Sequence, residues 1–122
     1  DGSPQRDFLH VSDAVNAYLA IESAVINGKA RGEALNAGTG KPRSVREVID
    51  AIQSSTGSEQ QPDWLLDREP DGEIGRQVVD AAKLTELSGW QPQTAFEAGI
   101  DEAVAWYEAH GETVSGQTGQ VL

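Results

Sequence analysis

Few residues in this chain could do chemistry, and two arginines stand out first. Arg6 joins a turn-rich start, "DGSPQR", to an apolar run, "DFLHV", and Arg68 sits in "LLDREPDGE". A guanidinium offers forked donors that match phosphate oxygens two at a time, so two of them together could neutralise a diphosphate even in an acidic protein. The plainer alternative is a pair of surface arginines bridging nearby carboxylates such as Asp7 and Asp67. "GTGKPRS" lies where a phosphate-binding loop would lie, after a strand pattern and before a helix. The dinucleotide fingerprint G-x-G-x-x-G fails, because Arg43 stands at the third glycine position. No G-K-[ST] follows at P-loop spacing either, so a tight strand-to-helix turn is expected ahead of the alternative, a ligand loop. His10 and His110 are a hundred residues apart. His10 falls in the apolar run and is expected to line the core or a pocket. His110 ends a helix, where a cation suits the dipole. With no cysteine and no His or carboxylate at ligand spacing, no metal site is expected.

The elements that must position these residues read as four helices with short strands between them. The first helix is expected from a cap at Ser12 or Asp13 to Asn27-Gly28, with a stripe of Ala14, Ala17, Tyr18, Ile21, Ala24 and Val25. "EALNAG" reads as a short strand whose pairing partners this chain lacks. Ser44 and Glu47 form an S-x-x-E capping box, Val45, Val48, Ile49 and Ile52 make one face of the second helix, and Gly57 closes it. "PDWLLD" and "GRQVVD" are strand candidates. Asp80 caps a brief third helix that stops at Ser88-Gly89. Thr94 and Glu97 repeat the capping box before a fourth helix carrying Phe96, Ile100, Ala103, Val104 and Tyr107. Beyond His110 the chain is polar and glycine-rich, as a frayed tail would be. The order strand, helix, strand, helix, strand, strand, helix, helix suits an α/β layer structure, but only about half of one.

Bulk composition narrows the partners. Asp plus Glu number 20 against 9 Lys plus Arg, for a net charge of −11 over 122 residues. That sign repels nucleic acid and anionic membranes, so neither is expected as a partner. No apolar run approaches the length of a membrane span, no secretory signal pattern appears, and the expected compartment is the cytoplasm. The chain has no methionine and opens at Asp1 inside a turn, which suggests a trimmed N-terminus or a piece of something longer.

Taken in order, the motifs resemble one family. "RDFLHVSDAVNAYLA", "GEALNAGTGKPRSVREVIDAI" and "DGEIGRQVVDAAKLTELSGWQPQTAFEAGIDEAVAWY" are similar to three successive stretches of the extended short-chain dehydrogenase/reductases that act on nucleotide sugars. The resemblance covers residues 1 to about 110. It implies an α/β fold class, specifically the C-terminal substrate-binding lobe of a Rossmann-type enzyme, with residues 111–122 as a flexible polar tail. In the family an N-terminal Rossmann domain holds NAD or NADP, and a Tyr of a Y-x-x-x-K motif serves catalysis. This sequence has no Y-x-x-x-K, since Tyr18 is followed by Glu22 and Tyr107 by Gly111. The resemblance therefore implies no catalytic, cofactor-binding or metal residue here, NAD or NADP for the complete enzyme, and inactivity of the chain alone. Its partners would be a nucleoside-diphosphate sugar and the missing Rossmann domain, in an enzyme that dimerises with itself.

By position in the family's motifs, Arg6 would reach the diphosphate and Glu73 the nucleoside ribose. Arg68 would be the second basic residue, although "REPDGE" carries two extra residues between the Arg and the Gly of the family's turn. Val45 fits the place after the capping serine that approaches the nucleotide, and fits the core face of its helix equally. The rival expectations are a stand-alone, non-catalytic nucleotide-sugar-binding or regulatory module, and a purely structural partner domain.

Overall fold

The computed structural model describes residues 1–65 and 72–115. Its first element is β1 (Gln5–Arg6), followed by α1 (Val11–Ile26), β2 (Arg43–Ser44), α2 (Val45–Thr56), α3 (Ala82–Ser88) and α4 (Phe96–Ser115). Strand β1 pairs antiparallel with β2, setting Gln5 opposite Ser44 and Arg6 opposite Arg43. On its other side Gln5 bridges Arg76 in parallel sense: Gln5 N–H donates to Gly75 O (2.8 Å) and Gln77 N–H to Gln5 O (2.9 Å). Three chain segments thus meet at the residue before Arg6.

The core forms where α1 lies on α3. Ala17, Leu84 and Trp90 are its buried members, with Leu9, Ile21, Leu35 and Ala37 packed around them. On the opposite flank α2 packs on α4, and Ser55 Oγ of α2 donates to Asp101 Oδ1 of α4 at 2.6 Å.

Helix α2 forms as its sequence dictates. Ser44 Oγ accepts from Glu47 N–H (3.1 Å), Glu47 Oε2 accepts from Ser44 N–H (2.8 Å), and Gly57 ends the helix in the left-handed region at φ 66°. Helix α3 likewise ends at Gly89 (φ 75°), and Asp80 Oδ1 accepts from Ala82 N–H at its start (2.9 Å).

The strands and two helix starts differ from expectation. "EALNAG" makes no strand, because no second strand among the described residues lies beside it. Its Leu35 and Ala37 pack on the core instead. "GRQVVD" contributes only the bridge at Arg76, and the apolar run after Arg6 leaves the ladder at Asp7. Residues 62–65 of "PDWLLD" are not strand, and the rest of that stretch lies outside the described residues. Helix α1 starts at Val11 with His10 at the cap position, ahead of the expected Ser12 or Asp13. Asp13 does not cap its own helix: its buried carboxylate accepts from Gln93 N–H (3.0 Å) and Thr94 N–H (2.9 Å), at the entry to α4. That replaces the Thr94–Glu97 box, and Glu97 faces Arg43 instead, at 3.7 Å. Helix α4 runs on to Ser115, beyond His110, whose ring stacks on Trp106 with centroids 4.6 Å apart.

Candidate nucleotide-binding site

Arg6 and Glu73 are 67 positions apart in sequence and adjacent in space. The parallel bridge at Gln5 lays the segment after Gly72, a turn residue at φ 80°, beside β1. Arg6 Nη2 donates to Glu73 Oε1, and Arg6 Nη1 donates to Ile74 O (2.6 Å) and Gln5 O (2.8 Å). Two backbone carbonyls therefore fix the plane of the guanidinium and leave its other edge aimed at the carboxylate. Both side chains reach solvent, at 28% and 41% relative exposure, so a ligand can reach the pair.

Val45 stands beside the same small sheet. It starts α2 one residue beyond β2, its N–H donates to Pro4 O (3.1 Å), and its side chain is exposed. Arg68 lies outside the described residues. The structure thus brings together Arg6 and Glu73 and sets Val45 just past the end of the neighbouring strand.

Asp7, expected only as a possible ion-pair partner for an arginine, has another task. Its Oδ1 accepts from Thr39 N–H (2.9 Å) and from Thr39 Oγ1–H, and its Oδ2 accepts from Gly40 N–H (2.9 Å) and Val79 N–H (3.1 Å). Burial pushes this carboxyl upward, but the bonds from Thr39, Val79 and Gly40 outweigh it and hold the group below its ordinary value. No local sequence signal marks this role, because Asp7 and the amides it gathers lie 32 to 72 positions apart. Arg43 was also missed: its guanidinium lies over the Phe96 ring at 5.0 Å and reaches Glu47 Oε1 at 3.2 Å.

The same bonds decide whether the glycine turn could hold a dinucleotide. A pyrophosphate-binding turn needs free amides pointing outward. The Thr39 and Gly40 amides are already taken by Asp7, and Gly38 is packed so closely that an added Cβ would fall 2.5 Å from Val79 Cβ. This turn does not fit NAD or NADP. Among the described residues no group of three or more His, Asp or Glu could hold a metal, and no helix is long and apolar enough to cross a membrane.

His10 lines a largely apolar cavity of about 510 Å³ between α4 and the start of α1, together with Phe8, Val11, Phe96, Trp106 and Tyr107. Its Nδ1 lies 2.6 Å from Ser12 Oγ and its Nε2 3.6 Å from Glu102 Oε2. Arg6, Val45 and Glu73 do not line that cavity.

No family model matches the chain. A UDP-glucose 4-epimerase of Mycolicibacterium smegmatis is 33% identical over 107 residues, covering 88% of this chain and 32% of the relative. A dTDP-glucose 4,6-dehydratase of Xanthomonas campestris is 33% identical over 126 residues, covering 95% and 34%. Among solved structures, a UDP-glucose-4-epimerase of Stenotrophomonas maltophilia, with bound NAD and formylated UDP-arabinopyranose, superposes with a TM-score of 0.79 at 28% identity, over 93% of this chain and 33% of its own. These relatives and neighbours cover the chain as a partial piece of an epimerase/dehydratase of the short-chain dehydrogenase/reductase type. The chain matches the C-terminal region of those Rossmann-type enzymes, as expected, and spans about a third of the length of the curated relatives it matches. Four helices and the small sheet around Arg6 make up this α/β fragment.

Proposed function

We propose that this chain is the nucleoside-diphosphate-sugar-binding lobe of an NAD- or NADP-dependent epimerase, dehydratase or reductase. Arg6 grips the diphosphate, Glu73 accepts a hydrogen bond from the ribose, and Val45 lies against the nucleoside. Arg68 is the second basic residue of this reading. The observation that carries it is the meeting of Arg6 and Glu73 from distant positions, with the guanidinium plane held by Gln5 O and Ile74 O. Such a clamp fixes a remote part of the substrate. Its binding energy then orients the sugar carbon against a nicotinamide without touching the reacting atoms.

The hydride acceptor and the proton-transferring Tyr and Lys belong, on this reading, to a Rossmann domain that the chain does not include. Helix α1 supports that partner. Its buried face carries Asp13, Ala17 and Ala24, yet the opposite face is also apolar, with Val11, Val15, Tyr18, Leu19 and Ile26 all exposed. A helix apolar on both faces is built to be covered on both. The complete enzyme is proposed to dimerise with itself, and the chain alone to lack turnover.

Calorimetric titration of the chain with UDP, dTDP, GDP and CDP tests the proposal. One of them should saturate it, and Arg6→Ala should abolish that binding or weaken it sharply. No heat of binding from any of the four at millimolar concentration overturns it and leaves the purely structural rival.

A further inference from the structure

We propose that Asp7 is the positioning residue of the Arg6–Glu73 pair: its carboxylate ties both chains that flank β1 and so fixes the register in which the arginine meets the glutamate. Successive side chains of an extended segment point to opposite sides. Arg6 accordingly turns toward Glu73 and Ile74 O, while Asp7 turns toward Thr39, Gly40 and Val79. Thr39 and Gly40 lead into β2, and Val79 follows the bridged residues 75–77, so one carboxylate holds the end of both ladders.

A ladder of two residues specifies its own register poorly. A slip by two residues preserves which face each side chain occupies but displaces it by about 6.6 Å. That is enough to carry Glu73 out of reach of Arg6. The carboxylate forbids the slip because the amides of Thr39, Gly40 and Val79 converge on its two oxygens, and no shifted register supplies the same three donors. Below it, Gly38 lets Val79 approach more closely than any side chain would allow. The charge is retained at neutral pH, since the hydrogen bonds outweigh burial.

The consequence for binding rests on the function proposed above, but the positioning role does not, and two readouts separate them. The first is independent of any ligand: the NMR signal of the Arg6 guanidinium and the exchange protection of the Gln5 and Gln77 amides, which form the parallel bridge. Asp7→Asn should shift the guanidinium signal and lower both protections about tenfold or more. Asp13→Asn is the control, a second carboxylate, buried and holding two backbone amides away from β1; it should lower thermal stability and leave both signals in place.

The second readout is UDP affinity in a double-mutant cycle. Asp7→Asn should weaken binding about tenfold when Arg6 is present and less than twofold in the Arg6→Ala background. Should Asp7→Asn not fold, Thr39→Val removes one of the four bonds and should move the same signals by a smaller amount. Unchanged guanidinium and amide signals in the Asp7 and Thr39 variants overturn the proposal, as does an equal affinity loss in both backgrounds. If the parent chain binds no nucleotide, the functional reading fails while the first readout still judges Asp7.

Discussion

Arg6→Ala should separate affinity from stability more sharply than any other change. Arg6 holds its own place through two carbonyls and presents one further edge, now engaged by Glu73. A charge-assisted hydrogen bond from that edge to a diphosphate oxygen contributes about 1.5 to 3 kcal/mol. At about 1.4 kcal/mol per decade, its loss raises the dissociation constant roughly 10- to 100-fold. The ion pair with Glu73, being this exposed, itself contributes about 1 kcal/mol at most to folding. For a domain of this size that is a fall in Tm of about 3 to 5 °C. Calorimetric titration with UDP, or with whichever diphosphate binds, gives the first number, and a thermal melt gives the second. Arg6→Lys should fall between parent and Ala, since an ammonium keeps the charge and loses the fork. An Arg6→Ala chain that binds as tightly as the parent refutes the assignment; so does one whose affinity loss is matched by wholesale unfolding.

Glu73→Ala should act with opposite signs on two parts of the ligand: it removes the anion now competing for Arg6, so inorganic pyrophosphate binds a few-fold tighter, and it removes a ribose acceptor, so uridine binds more weakly. Losses of both in parallel titrations would contradict the division of labour. Gly38→Ala places a methyl against Val79 and should destabilise the chain by about 1 to 3 kcal/mol in denaturant unfolding, where an unchanged midpoint would show that the contact gives way freely. Asp13 contributes to the pH dependence, as Asp7 does. Burial raises the Asp13 carboxyl, but bonds from Gln93 and Thr94 win and hold it below its ordinary value of 3.8. A group depressed on folding contributes stability above its unfolded value and loses that contribution as pH falls through the folded one. Melting temperature, so far as Asp13 governs it, should therefore be level from pH 7 to 5 and drop below about pH 4, while Asp13→Asn should lower Tm at pH 7 and flatten the acid limb. A variant with the parent's acid limb would exclude Asp13 as its source.

What the sequence made legible is local. Ser44, Glu47 and Gly57 announce α2, and Gly89 ends α3, because each acts within four residues of its own position. The strands were over-read. Val, Ile and Leu alternation marks a segment suited to a ladder, but a ladder also needs a neighbour, and Leu35 and Ala37 find core in place of a second strand. The meeting of Arg6 with Glu73 came from motif resemblance alone, for no periodicity links positions 67 apart.

The two aspartates near the start of the chain explain why local rules failed where they did. Asp7 and Asp13 both look like capping or surface residues, and each instead gathers amides from 32 to 81 positions away. A buried carboxylate with free lone pairs is costly, and so is a part-buried amide with no acceptor, so each removes the other's penalty when the chain brings them together. Asp13 thereby overrides the Thr94–Glu97 box and fixes where α4 departs from α1. Asp7 does the same for the turn and strand around Arg6. Both anions lie within seven residues of the arginine, so one short N-terminal stretch organises the helix pair on one side and the proposed diphosphate grip on the other. Its acidity serves assembly first.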